Sequence, residues 1–154
     1  QGLKKRPKHD VYGVFTVQEE VGLRGAFTST YGVEPHIGIC LDTTIASDIP
    51  GVPGELRVTS LGKGVGIKVL DGSVISDRGL VDRCVALAKR GKIQHQLEIL
   101  PRGGTDAGAM QRSRSGVRTM TLSVPTRYIH TVTETVHKKD VAATEALLKR
   151  LLAE

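Results

Sequence analysis

Strand-like and helix-like segments alternate along this chain, an order that predicts an α/β layer structure built on a largely parallel sheet. Three observations carry that expectation. Short runs of branched residues recur between breaks rich in glycine, proline and acids. Later segments repeat apolar residues at helical spacing, and no internal repeat or low-complexity tract points to a solenoid or a fibre. At 154 residues the chain suits one domain, or part of a larger one.

The first strand is expected over 10–17, where branched and aromatic residues alternate and at least one face should be buried; Glu19 and Glu20 follow at its carboxyl end. A helix over 22–30 is broken by Tyr31-Gly32-Val33-Glu34-Pro35, and a second strand over 37–41 ends on Asp42. Two prolines and two glycines make 47–54 a loop. A third strand occupies 65–70. Over 78–90 the residues Leu80, Val81, Cys84, Val85, Leu87 and Ala88 recur at helical spacing, with Ser76 or Asp77 as the candidate cap. A strand over 94–100, a helix over 105–113 opened by Gly103-Gly104-Thr105-Asp106, and a strand over 117–124 follow. The last element is a helix over 140–153 whose stripe is Val141, Leu147, Leu148, Leu151 and Leu152.

Composition narrows the chemistry. Twenty-two basic side chains against sixteen acidic ones leave +6 at neutral pH, and the isoelectric point is near 9.6, so nucleic acid is a partner to test first. Tryptophan is absent and there are only three tyrosines and two phenylalanines, which leaves no platform for stacking bases. The basic groups Lys4, Lys5, Arg6 and Lys8 and Arg112, Arg114 and Arg118 therefore read as solvated faces or subunit contacts, with neither nucleic acid nor membrane as a partner. Cys40 and Cys84 form no C-x-x-C pair, which points to a reducing, cytoplasmic setting. No apolar run approaches the roughly 20 residues that cross a bilayer. There is no G-x-S-x-G elbow, and Cys40, midway along a strand, lacks the exposure of a reactive thiol. Gly62-Lys63-Gly64-Val65-Gly66 leads into a strand instead of joining strand to helix, so it reads as backbone punctuation and not as a phosphate loop.

Ligands in α/β sheets collect at the carboxyl ends of strands, and three candidates sit there. Glu19 and Glu20 are adjacent, and if the chain turns at Gly22 one carboxylate can bind a metal while its neighbour takes a proton from water. The alternative is a pair of solvated acids at a helix start, favoured by the helix dipole. Asp42 ends an apolar strand, as a ligand or as a turn cap. His130 follows a strand in Arg127-Tyr128-Ile129-His130-Thr131, as a ligand or as an ordinary surface histidine. Two carboxylates and an imidazole make a set suited to zinc, cobalt or manganese.

Four segments then match a known pattern. Val17-Gln18-Glu19-Glu20-Val21-Gly22-Leu23-Arg24-Gly25-Ala26, Leu41-Asp42 followed by Asp48-Ile49-Pro50-Gly51, Gly103-Gly104-Thr105-Asp106-Ala107-Gly108, and Pro125-Thr126-Arg127-Tyr128-Ile129-His130 resemble the dinuclear-metal aminopeptidases that assemble into hollow tetrahedral dodecamers, a family that includes glutamyl and deblocking aminopeptidases and members labelled endoglucanases. The resemblance runs nearly the whole chain, in order. It implies a zinc-aminopeptidase-like three-layer sandwich with a mixed, largely parallel sheet, and a homo-oligomer. It also implies removal of N-terminal residues from peptides by Glu19 as general base, with Glu20 and Asp42 each binding one of two divalent ions, zinc or cobalt, and His130 completing a shell. Gly103, Gly104, Thr105, Asp106 and Arg127 would line the substrate, Asp106 also capping the next helix. Arg102, beside the Gly-Gly turn, would favour an acidic first side chain or be a plain surface arginine.

The chain also departs from that pattern. Full-length members carry a His-x-Asp histidine, a bridging aspartate and an oligomerisation insert ahead of the strand that begins here, so residues 1–154 are expected to be the carboxyl-terminal part of the catalytic domain. Without the remaining half as partner, weak metal affinity and negligible hydrolysis are expected. The competing expectation is a catalytically incompetent remnant that works as a binding or assembly module.

Overall fold

The computed structural model describes residues 7–154, so Lys4, Lys5 and Arg6 of the basic cluster lie outside the described residues. Five strands make one sheet: β1 (Ile37–Ile45), β2 (Val65–Leu70), β3 (His95–Ile99), β4 (Arg118–Arg127) and the short β5 (Thr135–Val136). Their order is β1-β4-β2-β3, with β5 pairing the far end of β4. β1 runs parallel to β4 from Ile37↔Arg118 to Ile45↔Thr126, and β2 runs parallel to β3. The two halves join antiparallel only at Gly66↔Ser123 and Ile67↔Leu122. The sheet is thus mixed and largely parallel, as expected.

Alternation along the strands sends two different surfaces to two helical layers. On one face Val65, Ile67, Met120 and Leu122 pack against Leu80, Val81, Cys84, Leu87 and Ala88 of α2 (Arg78–Gly91) and Ala143 and Leu147 of α4 (Lys138–Leu152). Each large aliphatic chain buried here contributes about 1.5–3 kcal/mol. On the other face Cys40 and Val74 pack against Ala107 of α3 (Asp106–Gln111), with α1 (Arg24–Val33) lying on α3. This second layer leaves most of its sheet face to polar side chains, and the site lies there.

Several elements differ from expectation. Residues 10–17 form no strand; Val11, Tyr12, Val14, Phe15 and Val17 are exposed, Phe15 at 98%. Alternation marks the capacity to pair, but a strand needs a ladder, and no described residue pairs with this segment. α1 starts at Arg24 and runs on to Val33, where Glu34 takes a left-handed conformation and closes it. β1 continues to Ile45, so Asp42 lies within the strand and not at its end. β4 passes through Pro125 to Arg127: the antiparallel pairing with β2 has already ended there, so the missing N–H costs no ladder bond. Asp77, not Ser76, caps α2 by accepting from Leu80 N–H at 2.9 Å. Val141 stands 45% exposed, outside the α4 stripe. The arginines are not merely solvated. Arg114 stacks 3.8 Å from the Tyr31 ring and pairs with Glu34, Arg112 sits 5.7 Å from the Phe27 ring, and Arg118 forks onto Asp77.

The turn around Gly62 and Gly64 has a definite purpose. Both glycines have positive φ, and their N–H groups donate to the fully buried Asp140 carboxylate at 2.7 Å each. A side chain at Gly64 would come within 2.0 Å of the Gln94 carbonyl. The first turn of α4 is thereby locked to the entrance of β2. Asp140→Ala strands the buried Gly64 amide and the part-buried Gly62 amide and is expected to cost about 3 kcal/mol in urea unfolding; a loss below about 1 kcal/mol would show that water replaces the carboxylate.

Candidate functional site

The chain turns sharply after residue 17. Gln18 has φ +58°, Gly22 +120° and Leu23 +56°, and the Glu19 carbonyl accepts from Gly22 and Leu23 N–H. Gly22 therefore makes the expected turn. Gly25 presses so closely on the Val17 backbone that a Cβ would meet it at 2.5 Å, which fixes the turn to the start of α1. The result leaves Glu19 half-buried and Glu20 exposed.

Asp42 projects from the α3 face of β1, between Cys40 and Thr44 on the same face, and its Oδ1 accepts from Thr43 N–H at 2.7 Å. Asp106 opens α3. Its side chain caps nothing, contrary to expectation; Oδ2 accepts from Thr16 Oγ1 at 2.6 Å, and Oδ1 is buried without a partner. His130 lies in the connection between β4 and β5, with Nε2 3.1 Å from Glu20 Oε1, both side chains well exposed.

Electrostatics tie these groups together. Burial raises the Glu19 carboxyl above its ordinary range, and Asp42, Glu20 and Asp106 push it further up while His130 draws it down. Asp42 is likewise raised by burial; the Thr43 amide and Lys68 oppose this, and Asp106 and Glu20 add to it. Four carboxylates from three segments thus repel one another across one small region. Glu20 and His130 meet directly. Among the described residues, no three His, Cys, Asp or Glu side chains close on one point. Hard carboxylate oxygens with an imidazole, two of the carboxyls raised by burial and by their neighbours, nevertheless fit a divalent cation, whose charge would relieve the repulsion.

The remaining predicted residues are engaged otherwise. Arg127 forks onto Asp48 at 3.0 and 2.9 Å, and Asp48 also accepts from Leu61 N–H, so the arginine pins the end of β4 to two loops. The guanidinium holds the Asp48 carboxyl below its usual range. Thr105 Oγ1 meets Asp71 Oδ2 at 3.1 Å and Thr121 Oγ1 at 3.0 Å. Gly103 and Gly104 are exposed but pack on the 71–73 turn, where a Cβ at Gly104 would strike Ser73 Oγ at 2.8 Å.

Sequence reasoning missed a buried polar floor beneath the acids. Lys68 and Glu98, both at 0% exposure and paired across β2 and β3, bring Nζ within 2.6 Å of Oε1, as a close ion pair instead of a well-directed hydrogen bond. Thr44 donates to the same Oε1 at 2.6 Å, and Asp71 lies 3.7 Å from Nζ. Half of the signal was present, a lysine inside the otherwise apolar Val65–Leu70; its glutamate partner on the adjoining strand emerges only from the register. Cys40, by contrast, is buried as expected, its thiol pushed up to about 12.

A raised carboxyl binds protons more readily in the folded chain than in the unfolded one, so its contribution to stability falls as pH rises above the ordinary value of 3.8 for aspartate. Asp42→Asn, with chelator present, is expected to raise the melting temperature by a few degrees at pH 7 and to leave it unchanged near pH 3. A fall at pH 7 would show that burial and its neighbours do not penalise the Asp42 charge.

The profile of the M42 glutamyl aminopeptidases matches residues 1–147. The chain is 41% identical over 146 residues to the lysyl aminopeptidase of Pyrococcus furiosus, covering 94% of this chain and 41% of that protein. Its fold overlays an aminopeptidase from the archaeon Desulfurococcus kamchatkensis with a TM-score of 0.92 at 40% identity, over 96% of this chain and 43% of that one. The TET1 peptidase of Pyrococcus horikoshii, which can assemble into a tetrahedron or a large octahedral shell, overlays with a TM-score of 0.77 at 35% identity, over 91% and 40% of the two chains. The chain thus spans about two fifths of the length of the relatives it matches. With a profile match over nearly its whole length and a shared layered sheet, the chain belongs to the M42 glutamyl aminopeptidase family.

Proposed function

We propose that these residues serve a metal-dependent aminopeptidase that removes N-terminal residues from peptides, with hydrolysis belonging to a complete catalytic domain and not to this chain alone. The observation that carries the reading is the Glu19 carboxyl, half-buried among Asp42, Glu20 and Asp106 with His130 against Glu20. The family membership and the aminopeptidase names of the relatives support it.

Glu20, Asp42 and His130 would hold the divalent ions, zinc or cobalt. When bound, such ions polarise the peptide carbonyl and lower the pKa of water. Glu19, its carboxyl raised by burial and by the neighbouring carboxylates and so a stronger base than an ordinary glutamate, takes the proton of the attacking water and passes it to the leaving amine. The Lys68–Glu98 pair sets the floor on which Asp42 stands, and Lys68 partly offsets its burial. Gly103, Gly104, Thr105, Asp106 and Arg127 would shape the substrate side. A homo-oligomer of the dodecameric kind is part of the proposal, supported by the dodecamer among the structural relatives. So is a cytoplasmic setting, supported by two free, buried cysteines.

A second reading, a folded module that binds or assembles without cleaving, draws on one observation: no three candidate ligands among the described residues close on a point. A chimera separates the two. With this chain in place of the matching region of the Pyrococcus furiosus lysyl aminopeptidase, hydrolysis of aminoacyl chromogenic substrates with zinc or cobalt is expected, and no activity from a folded chimera would favour the module. In an active chimera, Glu19→Gln should lower kcat by roughly 10²–10⁴-fold with metal content retained. His130→Ala should lower metal content measured by atomic absorption. Near-normal turnover in Glu19→Gln would remove the base assignment.

A further inference from the structure

His130 reaches Glu20 from a connection that packing does little to hold. Tyr128 is 52% exposed and Val132 fully so, and the His130 side chain itself is 67% exposed. Yet two non-glycine residues of this segment, Tyr128 at φ +57° and His130 at +64°, sit in the left-handed region, which costs roughly 1–2 kcal/mol for each such residue. An exposed loop keeps two such residues only if hydrogen bonds fix it. Thr131 supplies part of the restraint, its N–H and Oγ1 both donating to the Tyr128 carbonyl. The His130 N–H is left, and it donates to the Glu134 carboxylate. Glu134 stands next to Thr135, which pairs with Arg127 in the β4–β5 ladder, while Arg127 is anchored to Asp48. Its carboxylate therefore reaches back from a fixed base.

We propose that Glu134 is a positioning residue for His130: by accepting the His130 N–H it holds the left-handed turn that presents Nε2 to Glu20. The proposal rests on the reading of His130 as a metal ligand. Partners that orient a ligand typically change metal affinity by 10–100-fold when removed. The carboxylate acts as an acceptor, so an amide oxygen at the same place should suffice.

The test uses the 154-residue chain, read by amide hydrogen exchange at His130 and by the movement of its imidazole resonances under zinc titration. Glu134→Ala is expected to speed His130 amide exchange at least about tenfold and to weaken the zinc midpoint by about tenfold or more. Glu134→Gln should restore both to near the unsubstituted values. Unchanged exchange in Glu134→Ala would overturn the proposal, as would Glu134→Gln behaving like Glu134→Ala. If zinc leaves the His130 ring unmoved in the unsubstituted chain, the ligand reading fails, and the exchange comparison alone decides for or against Glu134.

Discussion

Burial of carboxylates beside one another is the constraint around which this face of the sheet is arranged. Glu19, Glu20, Asp42 and Asp106 come from a turn, a strand and a helix start, and burial together with the neighbouring carboxylates raises the Glu19 and Asp42 carboxyls. The fold holds them together by devices that carry no charge of their own. Gly25 admits the Val17 backbone, the left-handed Gln18 reverses the chain, and Thr16 ties the incoming segment to Asp106. Concentrated negative charge of this kind, enforced by backbone geometry, is what a cation site requires before the cation arrives.

Two other groups meet this cluster from opposite directions. Above, the His130 ring reaches Glu20 on a turn of two left-handed residues. Below, the Lys68–Glu98 pair is wholly buried, and Lys68 draws the Asp42 carboxyl downward. A buried ion pair adds little net stability by itself, and apolar residues of similar volume often serve as well. Its position suggests the reason for keeping it: Thr44 bonds Glu98 two residues beyond Asp42, so the pair fixes the strand that carries a site carboxylate.

The layered scaffold was legible where local pattern and tertiary packing agree. The stripe of α2 and the limits of β2 follow from apolar spacing alone, because those residues face a core formed within this chain. Residues 10–17 were misread for the opposite reason: alternation records what a segment can pair with, and here no described residue supplies the ladder. Glu19, Glu20, Asp42 and His130 stand out in the sequence as acids and an imidazole beside apolar runs, although 10–17 forms no strand and Asp42 lies inside β1 and not at its end. Asp106 was given a capping role since a Thr-Asp pair before a helix looks like a cap, and only the fold turns its side chain toward Thr16. The Lys68–Glu98 pair needed strand register, which no single stretch of sequence contains.

The account stands most directly on where a metal ion settles. Crystals of the chain soaked in zinc, with diffraction collected across the zinc absorption edge, would locate it without reference to activity. The predicted result is an anomalous peak bonded at roughly 2.0–2.2 Å to donor atoms among Glu20, Asp42 and His130. Zinc found only at His9, His36 or His95, with the carboxylate cluster left bare at full occupancy elsewhere, would contradict it.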